Sequence, residues 1–130
     1  MAATGAGAAA AAPSRLVQYV VVRADLVRQL SWPLGAVITQ ACHAATAAVH
    51  LHYCDPDTQR YLEDLDHMHK VVLGAPDEAS LCSLSASLTQ AGVAHKLWVE
   101  QPENIPTCLA LKPCPKEAVQ PLLRKLQLFK

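Results

Sequence analysis

A polar stripe runs along one side of a small, apolar segment, LGAVITQACHAATAAV (34–49), and carries residues able to do acid–base chemistry. The members of the stripe are Thr39, His43, Thr46 and His50, and Gln40 lies beside them. Their offsets of four, three and four residues place them on one side of a helix. An imidazole exchanges protons near neutral pH, and the free N–H groups of a helix N-terminus favour an anion such as phosphate. We therefore interpret the stripe either as an anion-binding site near Gln40 and His43 or as the solvent side of an ordinary helix.

Two other chemistries are less well supported by the spacing. The residues that could be drawn as zinc ligands are His50, His52, Cys54, His67 and His69. They form no closed four-ligand pattern, and the sequence has no Gly-rich phosphate loop, so we expect no metal and no other cofactor. Cys42 and His43 look like a nucleophile and its base, but neighbours on a helix diverge by about 100°, so we expect Cys42 to be a buried structural thiol.

The composition limits the class of protein. The chain of 130 residues is long enough for one domain with its own core, and 52% of its residues are apolar. No uninterrupted apolar run reaches the about 18 to 20 residues of a membrane span, so we expect a soluble protein that does not contact a membrane. Eleven basic residues balance eleven acidic ones, which counts against a stand-alone nucleic-acid binder. Any basic patch is expected near the C-terminus, at Lys116, Arg124 and Lys125.

The five cysteines show no disulfide-scaffold spacing, which favours reduced thiols in an intracellular compartment. We expect a cytoplasmic protein. Targeting to an organelle is the alternative, because no acidic residue precedes Asp25.

Hydrophobic patterning predicts a single α/β domain over residues 13–130, after a disordered Ala/Gly-rich tail at 1–12. Four strands are predicted at 16–23, 69–75, 93–101 and 107–113, and helices at 34–49, 56–66, 76–92 and 115–130. Right-handed crossovers make the first three strands parallel, and the short last connection makes the fourth antiparallel. The predicted fold is a three-layer α/β/α sandwich around a four-stranded mixed sheet.

The helix at 34–49 is expected to begin at Pro33, with Ser31 near its cap. Small side chains allow a helix to lie close to a sheet. The residues expected to face the sheet are Leu34, Ile38, Ala41, Ala45 and Ala48.

Four sequence blocks resemble, in order, those of the class II peptidyl-tRNA hydrolases, the archaeal and eukaryotic type. They are VVRADL, Gly35 followed by QACHAA, KVVLGAPDEASLCSL, and VEQ followed by TCLALKP. The likeness extends from Leu16 to the C-terminus. It implies a four-stranded mixed sheet between helices, frequent dimerisation, and metal-free cleavage of the ester that joins a peptide to the 3′ ribose of tRNA.

The resemblance also assigns roles to individual residues. Gln40, His43, Lys70 and Thr107 stand at positions that match site residues of the family. On this basis His43 is the expected base, while Gln40 and Thr107 are expected to orient the water or donate to the oxyanion. The residues expected to contact the tRNA substrate are Lys70, Gly35, Thr39, Glu100, Gln101, Lys116, Arg124 and Lys125.

The sequence departs from the family pattern at three positions. The family's first helix commonly begins Lys-Gly-Lys, and the same place here reads Leu34-Gly35-Ala36, so both lysines are missing; the family's aspartate after the third strand falls at Gln101. Glu100 is one residue away, and a one-residue shift along a strand would place its side chain on the opposite face. The resemblance therefore predicts a peptidyl-tRNA hydrolase with an altered site. The alternative is a non-catalytic module of the same fold that binds RNA or an unidentified protein partner.

Overall fold

The computed structural model describes residues 15–130, so the tail predicted for residues 1–12 lies outside the described residues. The elements, in chain order, are β1 Leu16–Arg23, α1 Asp25–Arg28, α2 Leu34–Leu51, α3 Pro56–Glu63, a 3₁₀ turn Leu65–His67, β2 Lys70–Ala75, α4 Glu78–Gln90, β3 His95–Glu100, β4 Ile105–Leu111, β5 Cys114–Pro115, α5 Lys116–Leu123 and β6 Gln127–Leu128. The four predicted strands are present. The short elements α1, β5 and β6 are additional.

The strand β1 lies at the centre of a sheet with the order β3-β4-β1-β2-β6, and β5 pairs with its first residues. It runs parallel to β2, with Gln18 opposite Lys70, and antiparallel to β4, with Val22 opposite Cys108. Because β3 is antiparallel to β4, it shares the direction of β1 and β2. The predicted mixed sheet, with three strands in one direction and β4 opposed, is confirmed.

Helices cover both faces of the sheet, because β1 is apolar on both of its sides. On one face, Val17, Tyr19 and Val21 pack with α4 and α5 through Leu81, Leu88, Val119 and Leu123. On the other face, Val20 and Val22 pack with α1 and α2 through Leu26, Val37, Ala44 and Ala48. These two cores make the three-layer α/β/α arrangement that the sequence predicts.

The last helix is shorter than predicted. It ends at Leu123, and the chain then turns to place β6 beside β2, with Leu128 opposite Leu73. Backbone pairing with β2 replaces the helical hydrogen bonds that residues 127–128 would otherwise make, so the helix predicted for 115–130 is wrong in its C-terminal half.

The side of α2 that faces the sheet also differs from the prediction. The buried residues are Val37, Gln40, Ala44 and Ala48, whereas Leu34 and Ile38 are exposed. The side chain of Gln40 is hydrogen-bonded inside the domain, which fixes the rotation of the helix about its axis. The predicted positions of Leu34 and Ile38 against the sheet are therefore wrong, and that of Ala48 is confirmed.

By length and composition alone, α2 is apolar enough to cross a membrane, with a mean hydropathy of 1.2 over its 18 residues. In this domain it packs along the sheet, and 22% of its residues are buried. Its small buried residues allow close contact with β4.

Candidate functional site

His43 on α2 stacks against the indole of Trp98 on β3. Their ring centroids are 4.5 Å apart and the rings are inclined by 17°. The Nε1 of Trp98 donates a 3.0 Å hydrogen bond to Oε1 of Glu100, which holds the indole in place. His43 itself is exposed, so its ring nitrogens can reach a ligand while its plane is held by the stack.

An open cavity of about 420 Å³ lies beside this stack. We call it the α2–β3 groove, and its lining residues are Cys42, His43, Thr46, Ala47, His50 and Trp98. The groove thus contains three members of the predicted polar stripe. Its volume lies within the range of about 300 to 1,000 Å³ found for small-ligand sites.

The alternation of β3 explains why Trp98 and Glu100 reach α2. Side chains two residues apart point to the same face of a strand, and Leu97 packs into the opposite core with α4. Gln101 lies in the turn after β3, where its Nε2 donates to Asn104. From the sequence, strand alternation was expected to place the side chain of Glu100 on the face opposite to that of Gln101. Strand β3 ends at Glu100, so this alternation does not extend to Gln101. Glu100 lies on the α2 side of the sheet, and the expectation for its side chain is wrong.

Gln40 and Thr107 form a buried hydrogen-bonded pair rather than part of an open surface. Thr107 Oγ1 donates to Gln40 Oε1 at 2.8 Å, and Gln40 Nε2 donates to the carbonyl of Ala36 at 3.1 Å. Thr107 is 0% exposed and Gln40 is 1% exposed. The predicted proximity of the two residues is therefore present, but both polar groups are enclosed within the domain.

A β-bulge brings Thr107 to this position. Trp98 lies opposite Cys108 and Val99 lies opposite Pro106, so Thr107 is the extra residue on β4. An extra residue interrupts the alternation of a strand and can redirect one side chain. Without the bulge, Thr107 would share the face of Leu109, which packs towards α4.

A buried ion pair supports the start of β4. Arg23 donates to both carboxylate oxygens of Asp25, at 3.0 and 2.8 Å, and its Nη1 donates to the carbonyl of Pro106 at 3.0 Å. The hydrogen bond to Asp25 raises the pKa of Arg23 and outweighs the opposite effect of burial. Because Pro106 precedes Thr107, the guanidinium helps to fix the backbone that carries the hydroxyl.

The N-terminus of α2 is separate from the stacked pair. The helix begins at Leu34 without a side-chain cap, and Ser31, which has a φ of 55°, does not provide one. At about 1.5 Å per residue, Gln40 lies about 9 Å and His43 about 13.5 Å along the helix. The proposed proximity of these two residues to the free N–H groups is therefore wrong.

Gly35 and Thr39 lie on the exposed surface near this end of α2. A Cβ added to Gly35 would meet no atom within 4 Å, so local packing does not require a glycine at this position. Thr39 Oγ1 donates to the carbonyl of Gly35 at 2.9 Å, so its hydrogen is used within the helix.

Lys70 lies on the other side of α2, away from Thr107. It is opposite Gln18 in the sheet, whereas Cys108, next to Thr107, is opposite Val22. Four residues of strand correspond to about 13 Å along the sheet. Lys70 lines a second cavity together with Gln18, and the structure does not bring it to the stacked pair.

The C-terminal basic residues are also remote from His43. Helix α5 packs through Val119 and Leu123 on the face of the sheet opposite to α2. Lys116 and Arg124 are exposed at the two ends of this helix. Lys125 lines a cavity at the β6 edge, which also contains Arg28 and Lys130.

The structure also describes the thiol and the residues considered as metal ligands. Cys42 is exposed and lines the α2–β3 groove, so the expectation of a buried thiol is wrong. On α2, Cys42 lies about 160° around the helix axis from the buried Ala44. Because the residues near it are small, the sequence pattern did not show which side of the helix is buried. Within residues 15–130, no three His, Cys, Asp or Glu residues form a group that could hold a metal ion.

Trp98, Arg23 and Asp25 were not identified as site residues from the sequence. Two signals were available. Trp98 and Glu100 are two apart in a predicted strand, and Arg23 and Asp25 are opposite charges two apart at the end of an apolar strand. The long-range partners that give these residues a role, His43 and Pro106, are not apparent from either spacing.

Comparison with known sequences agrees with the four-block resemblance. A sequence model for the family described as "Peptidyl-tRNA hydrolase PTH2" matches residues 16–129. The Homo sapiens protein named "Putative peptidyl-tRNA hydrolase PTRHD1" is 55% identical over 124 residues, which cover 95% of this chain and 89% of that protein. The Mus musculus protein of the same name is 56% identical over 119 residues, covering 91% and 85%. The Dictyostelium discoideum protein named "Probable peptidyl-tRNA hydrolase 2" is 29% identical over 119 residues, covering 86% and 54%.

Proposed function

The chain belongs to the peptidyl-tRNA hydrolase PTH2 family, and on this premise we propose that it cleaves the ester between a peptide and the 3′ end of tRNA, with His43 as the general base. The observation that carries this assignment is the exposed imidazole of His43, stacked 4.5 Å from Trp98 beside an open groove. A base must reach the attacking water in a defined orientation, and the stack restricts the plane of the ring.

The proposed reaction needs one water molecule. Its oxygen attacks the ester carbonyl carbon while His43 accepts a proton from it. The resulting tetrahedral intermediate then expels the 3′ ribose oxygen, which takes the proton from the imidazolium. The products are a tRNA with a free 3′ hydroxyl and a peptide with a free carboxylic acid, which ionises by releasing its proton to the solvent.

Gln40 and Thr107 have a different proposed role from the one inferred by resemblance. Their side chains are enclosed and bonded to each other, so they act as positioning residues that hold α2 against β4. His43 is three residues after Gln40 on the same helix, and its position depends on that attachment. Ala36 and Gln101 carry no charge where the family is expected to have a lysine and an aspartate, and we therefore expect slow turnover.

The test is a single-turnover assay on N-acetyl-aminoacyl-tRNA with purified protein in excess. We expect release of the blocked amino acid above the protein-free rate, and loss of that release in His43→Ala. An analogue with an amide in place of the ester should bind and inhibit without being cleaved. Absence of release by the wild-type protein would overturn the catalytic assignment.

The buried Gln40–Thr107 pair favours one other candidate function, binding of tRNA without turnover. In that case neither side chain would be available to a reacting group, and contact would be made through the backbone phosphates. Affinity for uncharged tRNA would then fall steeply with salt, as expected for phosphate contacts. Salt-sensitive binding together with no turnover, in both the wild-type protein and Ala36→Lys, would support this candidate over the hydrolase.

A further inference from the structure

A second and larger cavity, of about 520 Å³, lies on the opposite flank of α2, over β1 and β2. We call it the α2–β2 groove. Its apolar wall is formed by Val20, Ala41, Ala45, Val49, Tyr53 and Val72. The polar residues Gln18 and Lys70 lie at one end of the groove, and Cys42, Thr46 and His50 lie along its rim. A largely apolar volume with a few grouped polar atoms is typical of small-molecule sites.

The polar end of the groove is built around a fully buried side chain. Gln18 is 0% exposed, and its Nε2 donates to the carbonyls of Ala45 and Leu111, both at 3.1 Å. Because both amide hydrogens are used, Gln18 presents only Oε1 to the groove. That oxygen accepts a 2.5 Å hydrogen bond from Nζ of Lys70.

Lys70 is an exposed residue, but two hydrogen-bonding contacts hold its ammonium group. Besides Gln18, its Nζ contacts the hydroxyl of Tyr61 at 3.3 Å and lies 5.1 Å from the centre of that ring. Desolvation lowers the pKa of Lys70. An ammonium group has three hydrogens, and among residues 15–130 only these two oxygens accept from it, without any carboxylate in ion-pair distance.

We infer that the α2–β2 groove binds an apolar carboxylate of medium chain length, with the carboxylate on Lys70 and the hydrocarbon chain along α2. The third hydrogen of Nζ would donate to the ligand, and the anion would neutralise a charge that lacks an acidic partner in the described part of the chain. Ala41 and Ala45 leave room for the hydrocarbon because they are small. The wall residues would lose water-exposed apolar surface on binding.

This site is distinct from the α2–β3 groove. The ammonium of Lys70 and the imidazole of His43 lie on opposite flanks of α2, and only three lining residues, Cys42, Thr46 and His50, are shared. Binding of a carboxylate to Lys70 therefore does not require the reaction proposed for His43.

The test uses decanoate and decanol, which have the same chain length and differ in charge, in titration calorimetry at pH 7. We expect decanoate to bind at least about ten-fold more tightly than decanol, because a hydrogen bond to a charged group contributes more than a neutral one. Lys70→Met keeps the length of the side chain and removes its charge, and it should weaken decanoate binding by about ten-fold or more. Lys116→Met, on the far face of the sheet, is the matched control and should not change the affinity.

Amide chemical shifts in ¹H–¹⁵N spectra locate the ligand. Decanoate should shift the signals of Ala41, Ala45 and Val72 in the wild-type protein. Equal affinities for decanoate and decanol, no saturable binding, or shifts confined to the residues around Trp98 would each overturn the inference. If Lys70→Met fails to fold, the comparison of the two ligands on the wild-type protein still decides the matter.

Discussion

Thr107 on strand β4 donates a 2.8 Å hydrogen bond to the side-chain oxygen of Gln40 on helix α2, and neither side chain is accessible to solvent. This contact links the strand that carries the bulge to the helix that carries His43. The resemblance assigns both residues to the site, yet in this chain their polar atoms satisfy each other. The link therefore positions the helix, and His43 is the exposed group that we propose as the base.

Thr107→Val should destabilise the domain by about 1 to 3 kcal/mol, because it leaves Gln40 Oε1 buried without a donor. Urea unfolding followed by circular dichroism measures this change. The double variant Gln40→Met and Thr107→Val should lose less than the sum of the two single variants, since both partners are then apolar. Additive losses would show that the hydrogen bond does not couple the two elements.

Ala36→Lys should increase the single-turnover rate constant by about ten-fold or more. Ala36 is one turn before Gln40 and two turns before His43, so a lysine there extends towards the α2–β3 groove and can stabilise the developing oxyanion. The matched control is Ile38→Lys, which adds the same charge to an exposed position on the other flank of α2. An equal increase in both variants would indicate general attraction of tRNA instead of a placed catalytic group.

Trp98→Leu should lower the single-turnover rate constant by about ten-fold, because the imidazole of His43 loses the ring that fixes its plane. Trp98→Phe keeps an aromatic surface and should lose less. Both variants need a check of the unfolding free energy, since Trp98 also packs against the core beneath α2. A Phe variant as slow as the Leu variant, with unchanged stability, would contradict a role for the stack.

Lys112 bridges Asp55 and Asp57 at 3.0 and 3.4 Å, and its removal should have a pH-dependent effect on stability. Burial is the largest single effect on the pKa of Asp55 and would raise it, but the hydrogen bond and charge of Lys112 and the backbone hydrogen bonds from Asp57 and Thr58 together lower this pKa. Burial is likewise the largest single effect on the pKa of Lys112 and would lower it, but the hydrogen bonds and charges of Asp55 and Asp57 together raise this pKa.

The stabilisation linked to Asp55 is therefore present above its unfolded pKa, about 3.9, and is lost as pH falls through the lower folded value. The stabilisation linked to Lys112 is present below its unfolded pKa, about 10.4, and is lost as pH rises through the higher folded value. Lys112→Met should cost about 1 kcal/mol of unfolding free energy at pH 7, given the partial exposure of the pair. Chemical denaturation at pH 7 and pH 2.5 should show a smaller difference from wild type at the lower pH. A constant difference would exclude the ion pair as its source.

Much of the fold follows from local sequence patterns. The run LVQYVVVR is apolar on both sides, and β1 is the central strand with a core on each face. The helix from Glu78 to Gln90 has leucines at helical spacing, and Leu81 and Leu88 are fully buried. Such a pattern shows which sides of one strand or one helix are buried, so it can be identified in the sequence without knowing which elements pack against it.

The site was less predictable because its geometry depends on contacts between distant elements. The bulge at Thr107 requires knowledge of how β3 and β4 pair, and the rotation of α2 depends on the bond from Thr107 to Gln40. Hydrophobicity alone would turn Ile38 inward and Gln40 outward, which is the reverse of what the structure shows. Lys70 lies on the flank of α2 opposite to His43, and this position likewise depends on the order of the strands in the sheet.

The most direct measurement for the central claim is the single-turnover rate constant of His43→Phe on N-acetyl-aminoacyl-tRNA, with His67→Phe as its control. Phenylalanine at position 43 can still stack on Trp98 but cannot accept a proton, and His67 is an exposed histidine that does not line the α2–β3 groove. We predict a loss of about 10²- to 10⁴-fold for His43→Phe, as expected for removal of a general base, and little change for His67→Phe. Wild-type turnover in His43→Phe would contradict the assignment of His43 as the base.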